Sequence, residues 1–418
     1  MRFSLPPAPA VIAGFVAVLV GYASSAAIIW QAAAAAGATP AQTAGWMTML
    51  GIGMGVSTLA LSLWYRAPVL TAWSTPGAAL LATGLAGSNL HEAVGIFIFA
   101  SALIVICGAT GLFARLMKII PPGLAAAMLA GILLRFGLQA FGTLEGHFIL
   151  CAAMTGAWLL CKVFAPRYAV VAALLAGVAV CLLQGEVNTA ALHFRLAPPE
   201  FVSPAFSLSS LLGVGLPFFL VTMASQNAPG VATLQASGYR VPVSPLMVAT
   251  GLLALLLAPF GVFSICIAAI TAAICQSPEA HPDRDRRWIA AAMAGVFYLL
   301  AGVCGGSVGA LMNALPLPWL QTLAGLALLG TIGGSLHQAL ANERARDAAL
   351  ITFLVTASGV TLLGVGSAFW GLMAGGISYA LLARRAGSKR GNQAPSVRFI
   401  SARDRTCARR SPYRRSPV

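Results

Sequence analysis

The stretch APVLTAWSTPGAALLATGL at residues 67–85 and its counterpart APFGVFSICIAAITAAIC at residues 258–275 decide how this chain is read. Both are apolar enough to enter a bilayer, yet both are short and broken. In the first, Pro76 cannot donate a backbone hydrogen bond and biases Thr75 away from the helical region. The chain is therefore expected to run extended to Thr75 and begin a helix there, partway through the membrane. Ordinary membrane helices tolerate a proline kink, but two such breaks in corresponding parts of the chain point to a binding site between half-helices. Helix N-termini carry unpaired amides and partial positive charge, so two of them facing one another would hold a carboxylate without a lysine or arginine.

Outward from these segments the chain is apolar throughout. Of 418 residues, 59% are hydrophobic and 8% charged, against about 25% charged in a soluble domain. Apolar runs lie near 10–36, 42–64, 70–87, 92–114, 120–138, 146–164 and 168–184, then near 206–227, 242–259, 262–275, 288–304, 319–340, 348–366 and 368–383. The fold class expected is an all-α polytopic membrane protein with 14 transmembrane segments. The first run is too long for the core of a signal peptide and reads as a retained span. With the N-terminus inside, most loop Arg and Lys fall on the cytoplasmic side, and only Arg135 and Arg195 face away. Both termini are then cytoplasmic, in a multi-pass protein of a bacterial-type inner membrane.

The two halves echo one another. GYASS at 21–25 matches TMASQ at 222–226, GIF at 95 matches GVF at 295, and LMKIIP at 116 matches LMNALP at 311, at offsets of 201, 200 and 195 residues. Seven spans per copy is odd, so the second copy enters from the opposite side, giving two inverted repeats with broken spans 3 and 10.

Polar residues inside spans mark the remaining candidates. Tyr22, Ser24 and Ser25 in span 1, and Ser225, Gln226 and Asn227 in span 8, occupy matching repeat positions. Such groups cost energy in a membrane unless satisfied, although serines there often serve helix packing instead. All ten acidic residues lie in loops, at span ends or in the tail, and the five histidines are peripheral. No intramembrane carboxylate offers itself as a proton carrier. An acidic substrate carrying its own proton, or protonation at Glu92 or Glu343, are the routes left open.

Other classes of function find little support. The eight cysteines are scattered singly without metal spacing, so no metal site and no cofactor is expected. There is no Walker loop or HExxH, and the glycines of GIGMG at 51–55 read as helix-packing positions. The net charge of +15 is concentrated, with eleven of 25 basic residues after Ala383; it reads as a cytoplasmic flank, not as a nucleic-acid surface. Residues 386–418 are expected to form a disordered basic tail.

Three segments taken together, TAWSTPGAALL from Thr71, MASQNAPGVATLQASGY from Met223 and AAITAAICQSPEAHPD from Ala268, resemble the benzoate/proton symporter family. The likeness runs from about Pro9 to Arg385 and implies the inverted-repeat fold shared with nucleobase and sulfate-type transporters. It implies a core domain formed by residues 1–118 and 206–304 and a gate domain formed by 119–205 and 305–385. The implied substrate is a small aromatic carboxylate, moved with a proton by alternating access, and the fold suggests a homodimer embedded in lipid. By motif position, Trp73 and Phe263 would wall the ring. Ser74, Thr75, Gly77, Ala268 and Ala269 would surround the carboxylate, with Tyr22, Ser225, Gln226 and Asn227 setting orientation. One departure stands out: where the family carries a GGHAxNL-like stretch, this chain has GVFSICI, which supplies Phe263 and Cys266. That leaves a nucleobase or other anion carrier as the alternative substrate reading, with a passive channel and a membrane enzyme behind it.

Overall fold

The computed structural model describes residues 6–113, 115, 121–188, 197–278, 280–360, 362 and 367–391. The repeat segment at 116–120 and the tail at 392–418 lie outside the described residues. In chain order the elements are α1 (Ala8–Ala35), α2 (Pro40–Tyr65), β1 (Thr71–Ala72), α3 (Thr75–Gly84), α4 (Leu90–Ala109), α5 (Pro122–Gly142), α6 (Phe148–Phe164) and α7 (Ala169–Gln184). The second half contains α8 (Leu208–Gln235), α9 (Val243–Leu257), β2 (Cys266–Ile267), α10 (Ile270–Gln276), α11 (Trp288–Val303), α12 (Gly305–Ala314), α13 (Leu317–Leu340), α14 (Arg346–Ala357) and α15 (Ser367–Gly391).

Among the described residues, eight helices are long and apolar enough to cross a bilayer: α1, α2, α4, α5, α8, α9, α11 and α13. Helices α6, α7 and the first part of α15 are apolar but shorter, and α3 and α10 are half-helices. Local sequence sets many of the boundaries. Thr39 and Gln42 form a reciprocal capping box at α2, Asn89 accepts the Glu92 amide at α4, and prolines open α2, α5 and α13.

The helices pack in two groups. Helix α2 lies on α11, α9 on α4, and α1 on α3, α10 and α11; separately, α5 packs on α13 and α14, α14 on α15, and α6 on α7. Small residues permit the closest approach. A Cβ on Gly51 would stand 2.5 Å from Gly302 Cα, so α2 and α11 meet backbone to backbone.

Helix α8 is not uniform. It contains two π-helical segments, Leu211–Gly215 and Met223–Asn227, and a proline follows each, at Pro217 and Pro229. A proline ring crowds the carbonyl four residues before it and offers no amide to the ladder. Those carbonyls belong to Gly213 and Ser225, inside the widened segments, where a wider turn relieves the crowding.

Between the half-helices, β1 and β2 cross antiparallel, with Thr71 opposite Ile267 and Ala72 opposite Cys266. Irregular backbone at membrane depth needs internal partners, and side chains supply them. Thr71 Oγ1 lies 2.6 Å from Ser57 Oγ and 2.8 Å from Thr58 Oγ1 and donates to the Met54 carbonyl, while the Thr71 amide donates to Thr58 Oγ1. Ser62 Oγ donates to the Val69 carbonyl, and the Ala268 amide donates to the Leu70 carbonyl at 2.9 Å.

Candidate functional site

Helix α3 begins at Thr75, the position where Pro76 and Ser74 end the extended run. Ser74 Oγ accepts the Gly77 amide at 3.0 Å, Ser74 O accepts the Ala78 amide, and the Ser74 amide donates to Ser264 Oγ at 2.9 Å. Pro76 has no amide, so the Thr75 amide is the one first-turn donor of α3 without a protein acceptor among the described residues. The Thr75 hydroxyl lies 2.7 Å from Ser25 Oγ of α1, tying the half-helix to span 1. The second half-helix starts at Ile270 after Ala269 and lacks a side-chain cap. The Ala269, Ile270 and Thr271 amides there have no acceptor among the described residues, whereas the Ala268 amide is already used.

Beside α3, Tyr22 stacks edge-on against Trp73 with ring centroids 4.8 Å apart. The Tyr22 hydroxyl is buried and has no hydrogen-bond partner among the described residues. Such a group calls for an explanation, and an occupant of the site is one.

A cavity of about 1100 Å³ opens between α8 and α10 on one side and α5 and α13 on the other. Ser225 and Ile270 lie on its wall opposite Leu129, Thr331, Gly334 and Ser335, and among the described residues no Asp, Glu, Lys, Arg or His lines it. Among the described residues, an anion entering here would meet hydroxyls, the carboxamides of Gln235 and Gln338, the start of α10 and apolar surface.

The structure separates the sequence-derived candidates. Ser225 lines the cavity, its hydroxyl bonded back to the Val221 carbonyl. Gln226, half-buried in the same π segment, makes no side-chain hydrogen bond among the described residues. Asn227 is fully buried: its side-chain oxygen accepts the Ile267 amide at 3.0 Å and its amide donates to Met223 Sδ, so it holds β2 to α8. Gly77 makes room for Phe218, and a Cβ there would stand 2.6 Å from that ring. Phe263 is also fully buried, between Phe97 and Phe218 at centroid distances of 6.2 and 6.4 Å, and Cys266 sits inside β2. Neither reaches the cavity wall, so the GVFSICI departure alters the scaffold behind the site. The α5 and α13 contributions were not read from the sequence. Their only signal is a run of small residues, TIGGS at 331–335.

The benzoate membrane transport protein family model matches residues 5–381, nine-tenths of the chain. The chain belongs to that family. A "Benzoate membrane transport protein" of Acinetobacter baylyi is 41% identical over 373 residues, covering 89% of this chain and 95% of that protein. The "Inner membrane protein YdcO" of Escherichia coli (strain K12) is 67% identical over 380 residues, covering 91% and 97%. Among solved structures, the murine Slc26a9 anion transporter in its inward-facing state superposes with a TM-score of 0.61 at 12% identity, covering 93% of this chain and 70% of that one. The transmembrane domain of the cyanobacterial bicarbonate transporter BicA superposes with a TM-score of 0.58 at 14% identity, covering 88% and 97%. This member of the benzoate transport family therefore has the SLC26-type transporter fold and is a membrane transport protein, not an enzyme.

Proposed function

We propose that the chain carries benzoate or a related aromatic carboxylate across a bacterial inner membrane, together with a proton, by alternating access. The observation that carries this reading is a cavity that reaches the start of α10 and has no charged side chain among its described lining residues, together with the free amide and the Tyr22–Trp73 pair at the start of α3. An aromatic ring needs apolar wall, and its carboxylate needs donors; the free amides at Thr75 and at Ala269 to Thr271 are donors that introduce no fixed counter-charge. Trp73 and Tyr22 form the aromatic side of the site, Gln226 and Ser225 orient the carboxylate, and Phe263 supports the wall from behind. Because no carboxylate is among the described lining residues, the substrate's own carboxyl group is the proposed vehicle for the proton.

In this reading the chain forms 14 segments in two inverted repeats. Residues 1–118 and 206–304 form a core that moves against a gate of 119–205 and 305–385. Both termini are cytoplasmic on the basic-residue distribution. The large cavity then opens inward, since Pro122, Gln235 and Gln338 near its mouth adjoin loops assigned to the cytoplasm. Two copies pair in the membrane.

Uptake of radiolabelled benzoate into proteoliposomes under an inward proton gradient tests the function, with a protonophore arm and a protein-free control for passive entry of benzoic acid. Protein-dependent, protonophore-sensitive accumulation is expected. Verified folded protein without it would sink the benzoate reading, and competition by unlabelled nucleobases and inorganic anions would then locate the substrate.

A further inference from the structure

A second cavity, of about 420 Å³, lies against the C-terminal half of α3. Its wall includes Thr83 of α3, Glu92 of α4, Ser210 of α8, Arg135 of α5, and Thr356 and Ser367 from α14 and α15. It therefore lies between the same two helix groups as the large cavity. It sits toward the opposite ends of the shared helices: it takes α5 at 131–135 where the large cavity takes 122–129, and α8 at 210–214 where the large one takes 224–235.

Arg135 is the feature that needs a cause. It stands seven residues before the end of α5, roughly 10 Å inside the helix terminus. Arg135 is exposed, and an arginine within a membrane helix is costly unless it is solvated, paired or functional. Among the described residues Arg135 has no ion pair within 4.0 Å. The acidic group sharing the cavity is held elsewhere: Glu92 Oε2 accepts the Ser210 hydroxyl at 2.9 Å, and Glu92 lies in the first turn of α4, whose N-terminal end favours a negative charge. The guanidinium thus shares a polar, partly enclosed space with Glu92 but has no direct ion-pair partner among the described residues.

We propose that this smaller cavity is an anion antechamber, in which Arg135 receives the carboxylate of the substrate on the face opposite the large cavity. The choice of an aromatic carboxylate as occupant rests on the transport reading above; the anion site itself does not. A guanidinium pairs with a carboxylate through two parallel N–H donors. A guanidinium without a direct partner also draws counter-ions toward itself before they reach the half-helix ends.

The test uses the full chain in proteoliposomes with Ala86→Cys, an exposed lining position, labelled by negatively and positively charged methanethiosulfonates of similar size. Mass spectrometry of the peptide separates this site from native cysteines. The negative reagent is expected to react roughly tenfold faster relative to the positive one than with a free thiol. Benzoate is expected to slow labelling. Adding Arg135→Gln should abolish both the preference and the protection, and Arg135→Lys, which keeps the charge, should retain the preference. Equal rates for the two reagents with Arg135 present, or an unchanged preference in Arg135→Gln, would overturn the proposal. A preference that depends on Arg135 but resists benzoate while inorganic anions protect would uphold the anion site and count against the aromatic substrate.

Discussion

Replacing Asn227 by leucine separates scaffold from site. The two side chains are similar in volume and branch at the same carbon, so Asn227→Leu removes polarity with little change of shape. In the native protein the Asn227 oxygen accepts the Ile267 amide at 3.0 Å in a fully buried setting. The substitution leaves that amide without a partner beside the β1–β2 crossing. Orphaning a buried donor costs about 1–3 kcal/mol, and water offers no relief because Ile267 is itself buried. The assay is thermal unfolding in detergent at a fixed scan rate, since proteins of this kind unfold irreversibly. Asn227→Leu is expected to unfold at a clearly lower temperature. Ser225→Ala, two residues away and bonded only to its own helix, is expected to unfold with the wild type while raising the KM for transport. Wild-type unfolding temperature in Asn227→Leu would refute the clamp.

Thr75→Pro removes the one free first-turn amide of α3 at a position where helices accept proline, so the protein should insert and fold while transport falls at least tenfold; wild-type uptake would rule out that amide as a ligand. Gln226→Ala should weaken substrate binding by about 1 kcal/mol, read by equilibrium binding, without a change in unfolding temperature. Thr71→Val, which keeps the shape but strips the hydroxyl shared by Ser57, Thr58 and the Met54 carbonyl, should cost about 1–3 kcal/mol of stability, measured by the same unfolding assay. Gly230→Ala would drive a Cβ into the Ile267 carbonyl, where overpacking costs about 1–3 kcal/mol; Gly330→Ala, on the large cavity with nothing within 4 Å, should leave stability intact, and equal behaviour of the two would refute the α8–β2 contact.

Local chemistry was legible in the sequence wherever a residue acts on its own backbone. Pro76 constrains the residue before it and lacks an amide, so the start of α3 at Thr75 followed from the letters alone. Membrane residence followed from the scarcity of charge, and the family likeness from three motifs carried on broken or polar segments. Pro217 and Pro229 held the signal for the π segments of α8, but that signal shows only that a helix must adjust, not that it widens.

What the tertiary structure decided is which polar residues face space and which face other backbone. Ser225, Gln226 and Asn227 are adjacent in sequence and similar in polarity. The π turn sends Asn227 to the Ile267 amide and leaves Ser225 on the cavity wall. Phe263 reads as a wall for an aromatic ring but closes the core with Phe97 and Phe218. The opposite wall comes from α5 and α13, whose small side chains carry no individual chemistry. Arg135 is legible as a charge, but its lack of a partner and its place in a second cavity are not. Those properties depend on distances between segments far apart in the chain, and periodicity and spacing contain no such distances.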